Sequence, residues 1–340
     1  MTDFSPYLSR AESGAALSRS EMRQAMDALL EGAIADDEIE RFLRALKTRG
    51  ETVDEIVAAA EAMRARAISV KAPIDAIDTC GTGGDGADTF NISTAAALVV
   101  AGCGVPVAKH GNKSASSRSG SSEVLERLGV NLDATPETIS RCINEAKIGF
   151  MFAAYHHRAV GHVAAVRKRI GARTIFNALG PLANPAGAKR QLMGVYDRAL
   201  VEPLAHALRA LGSTRAMIVH GGDGLDELTT TGPSFVSELK DGAVTSYEIN
   251  PEEAGFEYAE ASALKGGEPE ENAAALMQLL EGEIGAYRNI TLLNAAAALM
   301  IADRANDLKE GAALAAESID DGRAMDALAR LVRISNEEPQ

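Results

Sequence analysis

Between Ser18 and Met63 apolar residues recur every three or four positions, the spacing of helices that each bury one face. Ser18 followed by Glu21 makes a capping box, after which Met22, Ala25, Met26, Leu29 and Leu30 share a face. Asp36-Asp37 open a second helix with Ile39, Phe42, Leu43 and Leu46 at the same spacing. Thr52 with Glu55 caps a third, striped by Val53, Ile56, Val57, Ala60 and Met63. No strand pattern occurs in this stretch, so a small all-helical domain is expected over residues 1–70, with Ser69–Pro73 as linker. Disorder is expected only in the first dozen and the last few residues.

After Pro73 the pattern becomes strand, glycine loop, helix, repeated. Ile74–Thr79 reads as a strand feeding a glycine loop, and Ala95–Ala101 as the helix beyond it. Val105–Ala108 feeds a second loop, Lys109-His110-Gly111-Asn112, before a helix at Ser122–Leu128. Gly149–Ala153, Gln191–Tyr196 and Ala216–His220 are further strands, with a helix over Ala159–Ile170. Such alternation implies right-handed crossovers and a mainly parallel sheet covered by helices. The expected class is α/β: a helical domain, joined by helices from about residues 170–190, and a larger α/β domain over 74–340. Asn177–Pro185 reads as a rigid, breaker-rich loop, and Ala243–Ile249 as a β stretch after a Lys240-Asp241-Gly242 turn. Glu270–Ser335 returns to helices, with Ala295–Ala298 suited to close packing.

Charge changes the picture next. Thirty-four basic against 48 acidic residues give a net charge of −14, which argues against nucleic acid and anionic membrane as partners. Three cysteines, Cys80, Cys103 and Cys142, lack metal-ligand spacing and fit a reduced, cytoplasmic protein. No apolar stretch free of charge reaches membrane-spanning length, and Met1–Arg19 has no signal-peptide pattern.

The chemistry-bearing residues follow strand ends, where parallel α/β sheets bind ligands. Gly81-Thr82-Gly83-Gly84-Asp85-Gly86 places four glycines in six positions, so successive N–H groups can turn inward on an anion. The loop is neither a dinucleotide fingerprint nor a P-loop, and alone it fits a plain strand-to-helix turn as well. Asp85 within it suits a ligand hydroxyl or a backbone N–H. Thr89, Asn91, Ser93 and Thr94 precede an apolar helix; Ser93 or Asn91 could simply cap it, or the group could wrap a diphosphate at the helix N-terminus. Lys109, His110, Lys113 and Arg118, with Ser114, Ser116, Ser117, Ser119, Ser121 and Ser122, form the densest run of cations and hydroxyls. Lys109 would act as a point charge on phosphate, and His110 as a structural hydrogen bonder or a base. Adjacent Asp226 and Glu227 on a strand-end loop match hard-metal ligation, by which an acidic protein can meet an anion through metal ions. Arg167 alone reads equally well as a surface cation beside Lys168 and Arg169.

Taken in order, the Gly81–Gly86 loop, Asn91-Ile92-Ser93-Thr94-Ala95, Lys109–Asn112, Arg173-Thr174-Ile175-Phe176-Asn177 through Pro185, and Asp226-Glu227 resemble the anthranilate phosphoribosyltransferase family over nearly the whole chain. The fold implied is the nucleoside phosphorylase/phosphoribosyltransferase type. The activity implied is Mg2+-dependent transfer of the phosphoribosyl group from phosphoribosyl pyrophosphate to anthranilate, a step of tryptophan synthesis, with release of pyrophosphate. By the same resemblance Gly81, Gly84, Asp85, Thr89, Asn91, Ile92, Ser93, Thr94, Lys109, Asn112, Lys113, Ser117 and Ser121 would hold the donor. Gly81, Asn112, His157 and Arg167 would hold anthranilate, Arg167 through its carboxylate. Ser93, Asp226 and Glu227 would hold two Mg2+ ions, and the assembly would be a homodimer through the helical part. Lys113 stands where the family commonly has arginine, and Arg158 where proline is frequent. No catalytic acid or base stands out. A nucleoside phosphorylase of the same architecture and a non-enzymatic phosphoribosyl-binding relative are the competing readings.

Overall fold

The computed structural model describes residues 3–113 and 118–337. The helical part has one element more than its periodicity predicts. Helices α1 (Ser5–Glu12), α2 (Arg19–Leu30), α3 (Asp36–Arg49) and α4 (Val53–Arg64) pack together. Helix α1 falls where the sequence predicts disorder, because Phe4, Leu8 and Ala11 bury one short face and Phe4 packs edge-on to Phe42 at 5.2 Å. The expected disorder of the last few residues falls in part on 338–340, outside the described residues. Both capping boxes form, Ser18 with Glu21 and Thr52 with Glu55. Glu55 is fully buried: it accepts from the N–H groups of Leu17 (2.9 Å) and Thr52 (2.8 Å) and pairs with Arg49 at 2.7 Å.

The larger part alternates as expected, in chain order β1 (Ile77–Gly81), α5 (Ile92–Gly102), β2 (Val107–Gly111), α6 (Ser121–Arg127), α7 (Pro136–Arg141), β3 (Ile148–Phe152), α8 (Ala153–His156), α9 (Gly161–Ile170), α10 (Ile175–Leu182), β4 (Arg190–Gly194), α11 (Val201–Ala210), β5 (Arg215–Gly221), β6 (Ser234–Lys240) and β7 (Ala243–Ile249). Four helices follow: α12 (Pro269–Leu280), α13 (Ala286–Ile301), α14 (Leu308–Asp320) and α15 (Arg323–Ser335). Among the described residues one seven-stranded sheet runs β3-β2-β1-β4-β5-β6-β7, parallel from β3 to β5. The hairpin β6–β7 adds on antiparallel, and its first strand has no counterpart in the sequence reading.

Two further expectations are corrected. Asn177–Pro185 is not a loop throughout: α10 runs to Leu182 with Pro181 inside it. Burial of Ile175, Phe176, Leu179 and Leu182 outweighs the single backbone bond that the proline removes. Lys109, His110 and Gly111 belong to strand β2, paired with Phe150, Met151 and Phe152, and only Asn112 starts the loop. A polar stretch is tolerated in this inner strand because its side chains are individually bonded, as described below.

The sheet is covered on both faces. Helices α5, α13, α14 and α15 cover one, with Ala95–Ala101 and Ala295–Ala298 fully buried between them. On the other, a single core joins α1–α4 to α9, α10 and α11 and to Met193, Ala216, Ile218 and Leu239 of the sheet. Helices α9 and α10 therefore bridge the bundle and the strand ends.

Glu55→Ala should strand the buried Leu17 N–H, the part-buried Thr52 N–H and the Arg49 guanidinium together. Removing one partner of a buried pair costs about 3–5 kcal/mol. We expect a loss of this order in urea unfolding, with the Ser18→Ala cap variant costing only about 1 kcal/mol.

Candidate active site

The winding of the sheet reverses at β1, whose neighbour on one side is β2 and on the other β4. At such a switch point the loops leaving two strands diverge and open a crevice. The glycine loop leaves β1 here, directly beside the end of β4, where Gly81 pairs with Gly194. Gly83, Gly84 and Gly86 have φ of +63°, +79° and +72°, a region that a side chain would strain. Three anchors hold the loop. Thr82 N–H donates to the Gly194 carbonyl (2.9 Å), and Gly83 N–H donates to Asp226 Oδ2 (2.7 Å). Arg173 donates to the Gly84 carbonyl.

Asp226 and Glu227 arrive from the loop after β5. A Cβ at Gly194 would fall on the Asp226 carbonyl, and one at Gly81 on its carboxylate. Glycine at these two strand ends lets the acidic loop lie flat on the sheet edge. Glu227 Oε1 accepts from Ser93 N–H at 3.1 Å, one of the free N–H groups at the start of α5. That corrects the capping expectation. Ser93 lies within α5, and Asn91, at the N-cap position, makes no side-chain cap bond. Its Oδ1 instead accepts from Asn272 Nδ2 at 2.9 Å and its Nδ2 donates to the Ser119 carbonyl at 3.3 Å. Asp85 Oδ1 accepts from Ala87 N–H at 3.2 Å.

Burial raises the pKa of Asp226 to about 7, with the nearby Asp85 charge adding to the rise. Burial and then Asp226 push Glu227 well above the usual carboxylate range. Among the described residues no lysine or arginine forms an ion pair with either. Two crowded carboxylates with one edge open to a cavity are a poor arrangement for protein alone and a good one for a hard divalent cation. Among the described residues no group of three acidic, histidine or cysteine side chains is placed to hold a metal ion, so coordination would be completed by Ser93 Oγ, phosphate oxygens and water.

Lys109 is 1% exposed. Its Nζ donates to the Thr79 carbonyl at 2.5 Å and lies 3.3 Å from Ser93 Oγ, at the floor of the cavity. Burial pulls its pKa down, and the Asp78 charge pulls it back. Asp78 in turn accepts from His110 N–H (3.1 Å) and Asn184 Nδ2 (2.7 Å). His110 Nδ1 lies 3.1 Å from the Gly180 carbonyl, and burial, then His157 and His156, lower its pKa to about 3.

Gly81, Gly84, Asp85, Thr89, Asn91, Ile92, Ser93, Thr94, Lys109, Asn112, Lys113, Ser121, His157, Arg167, Asp226 and Glu227 all line one cavity of about 550 Å3. Ser117, with Ser114 and Ser116, lies outside the described residues. The Thr94 hydroxyl and His157 Nε2 are buried there with no partner among the described residues. Arg167, on α9, is half-buried over the Phe176 ring at 5.3 Å and has no acidic partner among the described residues. A larger, open groove of about 720 Å3 beside Val53, Arg198 and His206 contains none of these groups. The sequence reading assigns no site role to Phe176 and Asn177 of the cavity wall or to the supporting Arg173 and Asn272; Arg158, read there as a departure at the anthranilate entrance, lines the same cavity. Phe176 and Asn177 do stand in the Arg173–Pro185 motif quoted above, and they lie within α10.

Residues 5–67 match the family model described as glycosyl transferase family, helical bundle domain, and residues 74–325 match glycosyl transferase family, a/b domain. An anthranilate phosphoribosyltransferase of Beijerinckia indica is 55% identical over 338 residues, 99% of each chain. The crystal structure of the Thermus thermophilus enzyme of that name is 44% identical, with a TM-score of 0.93 over 97% of this chain and 99% of that one. The Saccharomyces cerevisiae enzyme in complex with PRPP and Mg is 28% identical, with a TM-score of 0.91 over 98% and 97%. The chain belongs to the glycosyl transferase family and, within it, to the anthranilate phosphoribosyltransferases.

The buried imidazoles make the fold acid-sensitive. His110 and His157 have pKa values of about 3 and about 4, against about 6.5 in an unfolded chain. Between these limits the unfolded chain binds the extra protons, so their contribution is present above pH ~6.5 and is lost as pH falls towards 3. The raised acids Asp78, Asp226 and Glu227 act with the opposite sign, so variant must be compared with parent. Unfolding of His110→Gln by urea from pH 7 to pH 4 should be flatter than the parent's by up to about one proton, about 1.4 kcal/mol per pH unit.

Proposed function

We propose that the cavity binds phosphoribosyl pyrophosphate and anthranilate side by side and joins the ribose C1 to the arylamine nitrogen. The observation that carries this reading is the cavity's two unlike ends. One has the glycine loop, the start of α5 and the Asp226–Glu227 pair. The other has an arginine without an acid, over an aromatic ring.

Bond by bond, the C1–O bond to pyrophosphate breaks with its electron pair going to the leaving oxygen. The C1–N bond forms on the opposite face, and the amine proton leaves to water. An arylamine is neutral at pH 7, so its lone pair is available without a base. His157 Nε2, in the wall of the cavity, is neutral and can accept a hydrogen bond from that amine. Main-chain N–H groups of residues 84 and 85 and the buried Lys109 charge lower the energy of the departing anion. Arg167 takes the carboxylate of anthranilate in a bidentate pair, which replaces the water on its guanidinium as the substrate enters. Gly81, Gly84, Asp85, Thr89, Asn91, Ile92, Ser93, Thr94, Lys109, Asn112, Lys113 and Ser121 form the donor's surroundings. Gly81, Asn112 and His157 border the acceptor. Two Mg2+ ions held by Ser93, Asp226 and Glu227 would supply charge neutralisation for the pyrophosphate.

The helical part, residues 1–70 with α9 and α10, and the α/β part from residue 74 act as two units, and the former mediates a homodimer. Three free cysteines fit work in the cytoplasm.

Loss of anthranilate fluorescence in the presence of phosphoribosyl pyrophosphate and Mg2+ tests the reading. A protein that instead cleaves nucleosides with free phosphate, or binds the donor without turnover, would refute it. In the same assay the Asp226→Ala/Glu227→Ala double variant should lose at least about 100-fold in kcat, together with its response to Mg2+. Arg167→Ala should raise the KM for anthranilate about 10- to 100-fold, the value of a hydrogen bond to a charged group. Equal rises for both substrates would reject the assigned role.

A further inference from the structure

Arg173 has no role in the reading above, although it stands at the head of the motif that continues into α10. It lies in the short turn between α9 and α10, and it has no carboxylate partner among the described residues. Its guanidinium stacks on the Tyr196 ring, 4.1 Å from the centroid, and donates from Nη2 to the Gly84 carbonyl. Tyr196 is itself tied to the glycine loop, its N–H donating to Thr82 Oγ1 at 3.0 Å. Thr82, Gly83 and Gly84 are therefore held by three different elements: the end of β4, the Asp226 loop and the α9–α10 turn.

The direction of the last contact is informative. Gly84 and Asp85 line the cavity and Arg173 does not, so the Gly84 carbonyl is drawn away from the cavity. Across a trans peptide the carbonyl and the next N–H point in opposite directions. Pinning the Gly84 carbonyl outward thus turns the Asp85 N–H inward. At φ +79° Gly84 has no side chain to fix this plane, and a glycine loop left free would sample the flipped peptide.

We propose that Arg173 is a positioning residue for the phosphoribosyl donor, holding the Gly84–Asp85 peptide so that its N–H faces the donor's phosphates. The stack on Tyr196 keeps the guanidinium in the plane that this requires, which a lysine ammonium cannot reproduce. The inference rests on the donor reading of the cavity.

The test is calorimetric titration of the full-length protein with phosphoribosyl pyrophosphate and Mg2+, alongside steady-state kinetics, for the parent, Arg173→Ala and Arg173→Lys. Arg173→Ala should weaken donor binding about tenfold and leave the KM for anthranilate within about twofold, as expected for one lost charge-assisted bond. Arg173→Lys should recover less than half of the loss. The difference should persist at about 0.5 M salt, where charges separated by more than about 4 Å are largely screened. Unchanged donor affinity in Arg173→Ala, full recovery by lysine, or a loss that salt abolishes would overturn the assignment. Parent protein that binds no donor would sink the cavity reading itself, and this inference with it.

Discussion

Two carboxylates held against the end of a β-sheet are the constraint around which the rest of this molecule is arranged. Asp226 and Glu227 are crowded and mostly dehydrated, and among the described residues neither forms a direct ion pair; burial pushes each towards its neutral form, and the Lys109 charge offsets only part of that for Glu227. Such a pair is unfavourable in isolation, and the protein offsets it with N–H donors: Gly83 for Asp226, Ser93 for Glu227. Those donors are the same groups that a bound anion would otherwise seek. The acidic loop therefore occupies part of an anion site, and a divalent cation would convert the competition into cooperation. The glycines follow from the same constraint. Gly81 and Gly194 are required by the closeness of Asp226, which is a different reason from the positive φ that requires Gly83, Gly84 and Gly86.

This arrangement accounts for a net charge of −14 on a protein whose cavity takes anions. Three basic groups in and around the cavity have distinct places. Lys109 lies under the floor, balanced by Asp78 and aimed at Ser93 Oγ. Arg167 is kept without an acid at the far end. Arg173 acts from outside on a carbonyl. A general excess of positive charge would bind phosphates indiscriminately; isolated cations with fixed geometry can tell a carboxylate from a diphosphate.

How far the sequence is legible depends on the range of the interactions involved. Helix caps at Ser18 and Thr52 are local, and both form as their spacing predicts. The glycine loop and Asp226-Glu227 are visible because anion and metal chemistry needs particular residue types, and their place after strands supplies the context. Helix α10 is hidden by Pro181, whose local penalty is outweighed by burial against the bundle, a tertiary effect. Strand β6 escapes notice because its apolar alternation, Phe235 and Leu239, is broken by Ser237, whose hydroxyl is satisfied across the hairpin by Ser246 at 2.7 Å. Lys109 reads as a loop residue because a fully buried lysine in a central strand is rare, and only its contacts with Thr79 and Ser93 explain it. Asn272 lies 181 residues from the Asn91 side chain it supports, beyond any pattern in a single sequence.

The bridge formed by α9 and α10 gives these contacts a common logic. Val163, Val166 and Ile170 of α9 sit in the core of the bundle, while Arg167, on the same helix, faces the cavity. Phe176 of α10 lies beneath that arginine, and Arg173, between the two helices, reaches the glycine loop. One packed unit thus sets both the place of Arg167 and the plane of a peptide in the glycine loop, the groups proposed above for acceptor and donor. Because α9 and α10 are buried against α2, α3 and α4 in a core that also takes in Met193 and Ile218 of the sheet, neither helix can be displaced without repacking that core. Reaction between two bound molecules depends on the distance between their sites, and here that distance is a property of hydrophobic packing. The polar groups identify the ligands; the apolar face of α9 and α10 determines how far apart they are held.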